Sequence, residues 1–132
     1  MSVPSLSVSA YMTRDPITIS PDTEVARAVS LLIEHDVSGI LVTDAAGALC
    51  GILTERDCIV AATESGYYGQ WGGPVSRYMS APVETVSPTD NLVDVAARLA
   101  TSPYRRFPVV EHGRLIGLLS RRDVLRAIEA GS

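Results

Sequence analysis

A chain of 132 residues has room for one domain of ordinary size or two very small ones. Hydrophobic residues make up 46% and charged residues 20%, which excludes a disordered tail, and the 5% of aromatics leaves the core to Val, Ile, Leu and Ala. The net charge of −4 argues against a general nucleic-acid binder, and no apolar run reaches the ~18 residues that cross a bilayer.

The chain opens with Met1-Ser2-Val3-Pro4, without a basic stretch ahead of an apolar one, which argues against secretion and for a cytoplasmic location. After Tyr11-Met12 a short strand is predicted at Ile17-Thr18-Ile19. Ser20-Pro21 ends it and suits a helix start, because proline is tolerated in the first turn of a helix. Apolar residues at 25, 28, 29 and 32 form one helical stripe. His35 falls near the end of that helix. The runs 40–42 and 49–53, separated by Asp44-Ala45-Ala46-Gly47, read as a hairpin. A second helix begins at Thr54 and runs through Ile59-Val60. Cys50 and Cys58 are too few for a disulfide scaffold, are not spaced for a zinc finger, and fit a reducing cytosol as buried free thiols.

Residues 63–74 read as a connector with Gly66, Gly69, Gly72 and Gly73. It also holds Tyr67, Tyr68 and Trp71, expected to pack back on the neighbouring repeats or to meet a partner. Then the pattern starts again, at an offset of 67 that falls to 66 after a one-residue deletion. Tyr78-Met79 repeats Tyr11-Met12, and a strand at Val83 to Val86 precedes Ser87-Pro88. Leu92, Val95, Ala96 and Leu99 repeat the helical stripe. Runs 107–110 and 115–119 flank Glu111-His112-Gly113, and Gly117-Leu118-Leu119-Ser120 repeats Gly51-Ile52-Leu53-Thr54. Asp123 repeats Asp57, on a last helix that starts at Ser120 and carries Val124, Leu125 and Ile128. The two copies, 8–62 and 75–128, predict an α+β module of two βαββα repeats packed with pseudo-twofold symmetry, since about sixty residues bury too little apolar surface to be comfortable alone.

Charge is unevenly shared: residues 1–66 carry three Arg against nine acidic residues, and 67–132 carry eight against six. All basic residues are Arg. Lys is absent, so the chain cannot form the lysine-bearing phosphate loop of the common nucleotide hydrolases.

The order Tyr-Met, Ser-Pro, then Gly-x-x-Thr/Ser-x-x-Asp, present in both copies from about Val8 to Ala127, resembles a tandem pair of cystathionine-β-synthase (CBS) domains. Copy one departs at Leu41, where the family usually has the proline seen at Pro108, and it has Gly39-Ile40 where copy two has Arg106-Phe107. The resemblance implies a regulatory, non-enzymatic module that binds AMP, ADP or ATP, or another adenosyl ligand, in two clefts between the repeats. By position, one cleft would use Thr54, Arg56 and Asp57 with Val83, Tyr104, Arg105 and Arg106. The other would use Ser120, Arg122 and Asp123 with Ile17, Val37, Ser38 and Gly39. The first cleft, with its arginines, is expected to take the more highly charged phosphate chain. The second would take AMP or a neutral adenosyl group, or stay empty.

The residue types suit that chemistry. A carboxylate accepts hydrogen bonds from both ribose hydroxyls, helix-start amides meet phosphate, and arginine pairs with it. Yet Thr54-Glu55-Arg56-Asp57 and Ser120-Arg121-Arg122-Asp123 are also capping boxes, which stabilise a helix by ~1 kcal/mol without any ligand. His35 and His112 lie near no nucleophile in sequence, so neither catalysis nor a metal or required cofactor is expected. The expected partners are an adenosyl small molecule, a second copy in a homodimer and an effector protein acting in trans, since only about ten residues precede the first repeat. Alternatives are a ligand-free interaction scaffold of the same fold, an S-adenosylmethionine or NAD sensor and, less favoured, a nucleic-acid binder using the arginine-rich half.

Overall fold

The computed structural model describes residues 6–65, 72–81 and 84–131, with the side chain of Ser65 outside the description. The aromatic connector residues Tyr67, Tyr68 and Trp71 lie outside the described residues, as does Val83. The chain holds two α+β repeats in two compact units. One comprises Ile17–Val83; the other comprises Met1–Pro16 with Glu84–Ser132.

In the Ile17–Val83 unit, strand β2 (Thr18–Ile19) lies parallel to β3 (Gly39–Thr43), which pairs antiparallel with β4 (Leu49–Thr54). Helices α1 (Val25–His35) and α2 (Glu55–Ser65) accompany this sheet. The apolar stripe of α1 buries Val25, Ala28 and Leu32 against Ile40, Val42 and Leu53. Asp36 ends α1 in the left-handed conformation at φ 52°, closing the helix with a bond from the Val37 amide to the Leu32 carbonyl. Helix α2 reaches Ser65, three residues into the stretch expected as connector, because Ala61 still packs in the core.

The second unit repeats the plan. Where a strand ending at Val86 was expected, Val86 makes only a single parallel bridge to Val109 in β5 (Arg106–Glu111), which pairs with β6 (Arg114–Ser120), and β6 pairs with β1 (Thr13–Arg14). Helices α3 (Leu92–Thr101) and α4 (Arg121–Ala130) complete it. Its buried core is aliphatic apart from Met12 and Phe107, with Tyr11 packed against it. His112 and Gly113, at φ 51° and 76°, form the two-residue hairpin turn whose twist matches paired strands.

Two expectations change. Ser-Pro does not begin a helix: α1 starts four residues after Pro21, and α3 four after Pro88. Proline instead sets a turn, in which Ser20 Oγ accepts from the Asp22 amide and Ser87 Oγ from the Thr89 amide. The carbonyls of these turns then receive a one-turn 3-10 helix. Ser76 donates its amide to Pro21 and Val75 to Thr23, while Ser9 donates to Pro88 and Val8 to Asp90.

The second change concerns which residues make a unit. The 3-10 turn and Tyr-Met ahead of each copy in sequence fold onto the hairpin of the other copy. Ser80 bridges Ile52 inside the first unit, and Thr13 pairs with Leu118 inside the second. Glycine allows this crossing. A Cβ on Gly51 would stand 2.6 Å from the Ser80 carbonyl oxygen, and one on Gly117 would stand 2.9 Å from that of Thr13.

Candidate functional site

Each unit gathers its candidate residues at one end of its sheet. The cause is the antiparallel hairpin, which sets the first residue of one strand opposite the last of the next. Gly39, opening β3, is opposite Thr54, closing β4, and the Glu55 amide donates to the Ser38 carbonyl at 3.0 Å. Val37 and Ser38 therefore lead into the strand beside the start of α2. Ile17, 38% exposed, precedes β2 at the same end, since Thr18 is level with Leu41.

At the start of α2, Thr54 Oγ1 accepts from the Asp57 amide at 3.2 Å and donates to Asp57 Oδ2 at 3.0 Å. The Thr54 amide donates to the same Oδ2 at 2.9 Å. Asp57 is half-buried, and its Oδ1 has no partner among the described residues. Arg56 is exposed beside it. The next residue, Cys58, is buried, and its thiol is pushed up from the ordinary range by burial first, then by the Asp57 and Glu55 carboxylates.

The second unit builds the same end from different side chains. Arg106 opens β5 opposite Ser120, which closes β6, and the Arg121 amide donates to the Arg105 carbonyl at 3.0 Å. Tyr104 and Arg105, both exposed, approach this strand, and Arg122 is exposed on the first turn of α4. Ser120 and Asp123 form a complete capping box, with 2.9 Å from the Ser120 amide to Asp123 Oδ2 and 3.1 Å from the Asp123 amide to Ser120 Oγ. Asp123 is only 3% exposed, and two further donors reach its carboxylate. Arg126 Nη1 stands 2.8 Å from Oδ1, and Thr13 Oγ1 stands 3.3 and 3.4 Å from the two oxygens.

Sequence reasoning sorted these residues across the repeats and left out the neighbours supplied within each unit. Thr54, Arg56 and Asp57 share a sheet end with Ile17, Val37, Ser38 and Gly39; Ser120, Arg122 and Asp123 share one with Tyr104, Arg105 and Arg106. Within its own unit, Asp123 thus has Arg105 and Arg106 at the same sheet end. Val83 lies outside the described residues. Sequence reasoning also missed Thr13, Arg126 and Arg121, whose guanidinium donates to the Leu99 and Ser102 carbonyls at 3.0 Å each. Arg126 was within reach of sequence: three residues beyond Asp123 on a helix, it shares that residue's face.

Among the described residues no group of three His, Cys, Asp or Glu side chains is placed to hold a metal ion. None of the described helices is long and apolar enough to cross a membrane.

A duplicated βαββα unit whose hairpin runs into a helix capped by Thr/Ser-x-x-Asp defines a CBS pair. The CBS domain family matches residues 8–64 and again 75–130, and the chain belongs to that family. It is 35% identical over 118 residues to the CBS domain-containing protein YhcV of Bacillus subtilis, covering 89% of this chain and 82% of that one. A crystal structure of CBSX2, a CBS-pair protein of Arabidopsis thaliana, in complex with AMP is similar at a TM-score of 0.82 and 31% identity, covering 94% of this chain and 96% of that one. Inosine-5'-monophosphate dehydrogenase of Aquifex aeolicus is 28% identical over 114 residues, which make up 85% of this chain but 22% of that enzyme.

Proposed function

We propose that this chain is a regulatory, non-enzymatic module that senses an adenosyl ligand, an adenine nucleotide such as AMP, ADP or ATP before others, and passes its occupancy to an effector protein in trans. The observation that carries the reading is the carboxylate of Asp57. It is held rigidly through Oδ2 by the cap, while Oδ1 remains without a protein partner among the described residues. A carboxylate so held offers acceptors to a ribose diol, and such charge-assisted bonds are the stronger class. Backbone groups of Val37, Ser38 and Gly39 at the strand edge suit the rim of an adenine ring. In the other unit, Arg105, Arg106 and Arg122 at the Asp123 sheet end suit phosphate. Support for the ligand class comes from CBSX2, solved with AMP and 31% identical over nearly the whole chain.

Sensing also requires that the ligand bind two arrangements of the protein with different affinity. We read the signalling form as a homodimer. Exposed apolar side chains on helices of both units support this: Ile33 and Ile59 in one, Val93 and Leu125 in the other.

Calorimetric titration of wild type and Asp57→Asn with AMP, ADP, ATP, S-adenosylmethionine and NAD tests the reading. Asparagine keeps the helix cap but removes the charge. Affinity for the nucleotide that binds is expected to fall about 10- to 100-fold, the worth of hydrogen bonds to a charged group. A wild-type chain silent to all five, with unfolding unchanged at millimolar concentrations, would instead mark a ligand-free interaction scaffold.

A further inference from the structure

Asp57 and Asp123 are held by the same cap, with the same 2.9 Å bond from the preceding Thr or Ser amide, yet their surroundings differ. Val60 occupies the α2 position that Arg126 occupies in α4, and its side chain carries no donor for Asp57. Ser80 occupies the position of Thr13, and no bond links it to Asp57 among the described residues. One carboxylate is half-buried with an unused oxygen; the other is 3% exposed with both oxygens engaged. The difference traces to two donors, Arg126 and Thr13.

We infer that Arg126 is a latch on Asp123 that selects phosphorylated ligands at this sheet end. The inference rests on the functional reading above. Asp123 is 3% exposed and Arg126 Nη1 lies on its Oδ1, so a ribose hydroxyl that approaches this oxygen meets the guanidinium. Ribose competes with the guanidinium for this covered carboxylate, and the Arg126 side chain, 65% exposed, is free to swing away through solvent. What it meets next depends on the ligand. A phosphate replaces the lost carboxylate as an anionic partner, close to Arg105 and Arg122, which face solvent at the same end. Neutral adenosine offers no replacement, so its binding bears the full loss of the ion pair. Arg126 therefore taxes every ribose and refunds the tax only to phosphate. At Asp57, where Val60 stands, no such selection operates.

The test isolates this sheet end in an Asp57→Asn background and adds Arg126→Val, which installs the residue of the matching position at an exposed site. AMP and adenosine are titrated into both proteins. The latch predicts that Arg126→Val tightens adenosine by about three- to tenfold, the range of a partly exposed charged pair, and does not tighten AMP. The AMP-to-adenosine preference then narrows, and Arg126→Lys restores part of it. Equal changes in both affinities, or none, overturn the latch. A loss of both together with a lowered unfolding temperature makes Arg126 a packing residue and overturns it as well. Wild type that binds neither ligand overturns the functional reading itself, a result separate from AMP binding with an unmoved preference.

Discussion

The carboxylates of Asp57 and Asp123 each close a capping box, so their first task is to satisfy helix-end amides. That task and ligand binding do not compete at Asp57, since the cap uses Oδ2 and leaves Oδ1. The same carboxylate acts on its neighbour. Burial, with Asp57 and Glu55, raises the Cys58 thiol, so the folded chain keeps that proton to higher pH than the unfolded chain does. Stability from this source is complete below the ordinary thiol range, and declines as pH rises from about 8.5 toward the raised folded value. Thermal unfolding followed from about pH 7 to 10 is expected to fall more steeply for wild type than for Cys58→Ala. Equal slopes would remove Cys58 as the cause. The raised thiol is also expected to react slowly with alkylating reagents at neutral pH. At this scale the caps were legible in the sequence, because Thr-x-x-Asp and Ser-x-x-Asp act within one helical turn. The Thr13–Asp123 bond was not, because its partners lie 110 residues apart.

At the scale of elements, the glycine of Gly-x-x-Thr/Ser has a mechanical reason. A segment crosses each hairpin at that residue, and the Ser80 carbonyl comes within 2.6 Å of where a Gly51 side chain would begin. Backbone cannot yield as a flexible side chain can. Gly51→Ala is therefore expected to cost about 1–3 kcal/mol, the usual range for overpacking, read from denaturant unfolding at unchanged slope. A smaller loss would mean that the Met79–Ser80 segment shifts freely. Helix stripes and hairpin partners were readable because their periods, 3.6 and 2, are local. Ser-Pro was misassigned for the same reason: proline suits either a turn or a helix start, and only the 3-10 amides that Pro21 and Pro88 receive decide between them.

Across the whole molecule, charge divides between the units. Ile17–Val83 holds three arginines against eight carboxylates, whereas the other unit holds eight against seven. Phosphate therefore meets a more favourable field at the Asp123 end, which agrees with a selector built there. Self-association belongs to this scale too. In the second unit an apolar groove lined by Leu92, Val93, Ala96 and Val124 lies between α3 and α4, with Leu125 58% exposed on α4. Leu125→Glu is expected to halve the mass measured by light scattering if a dimer forms through these helices, and to leave it unchanged if the interface lies elsewhere.

By itself the sequence determined the duplication, which is a match at a nearly fixed offset, and within each copy the helix, hairpin and capped second helix, which depend on residues a turn or a hairpin apart. Tertiary structure alone decided that the segment ahead of each copy folds onto the hairpin of the other, that Arg105 and Arg106 share a sheet end with Asp123 within their unit, and that Thr13 reaches its carboxylate. These are pairings between distant stretches. Their choice depends on which surfaces the folded strands present, and no local spacing records that.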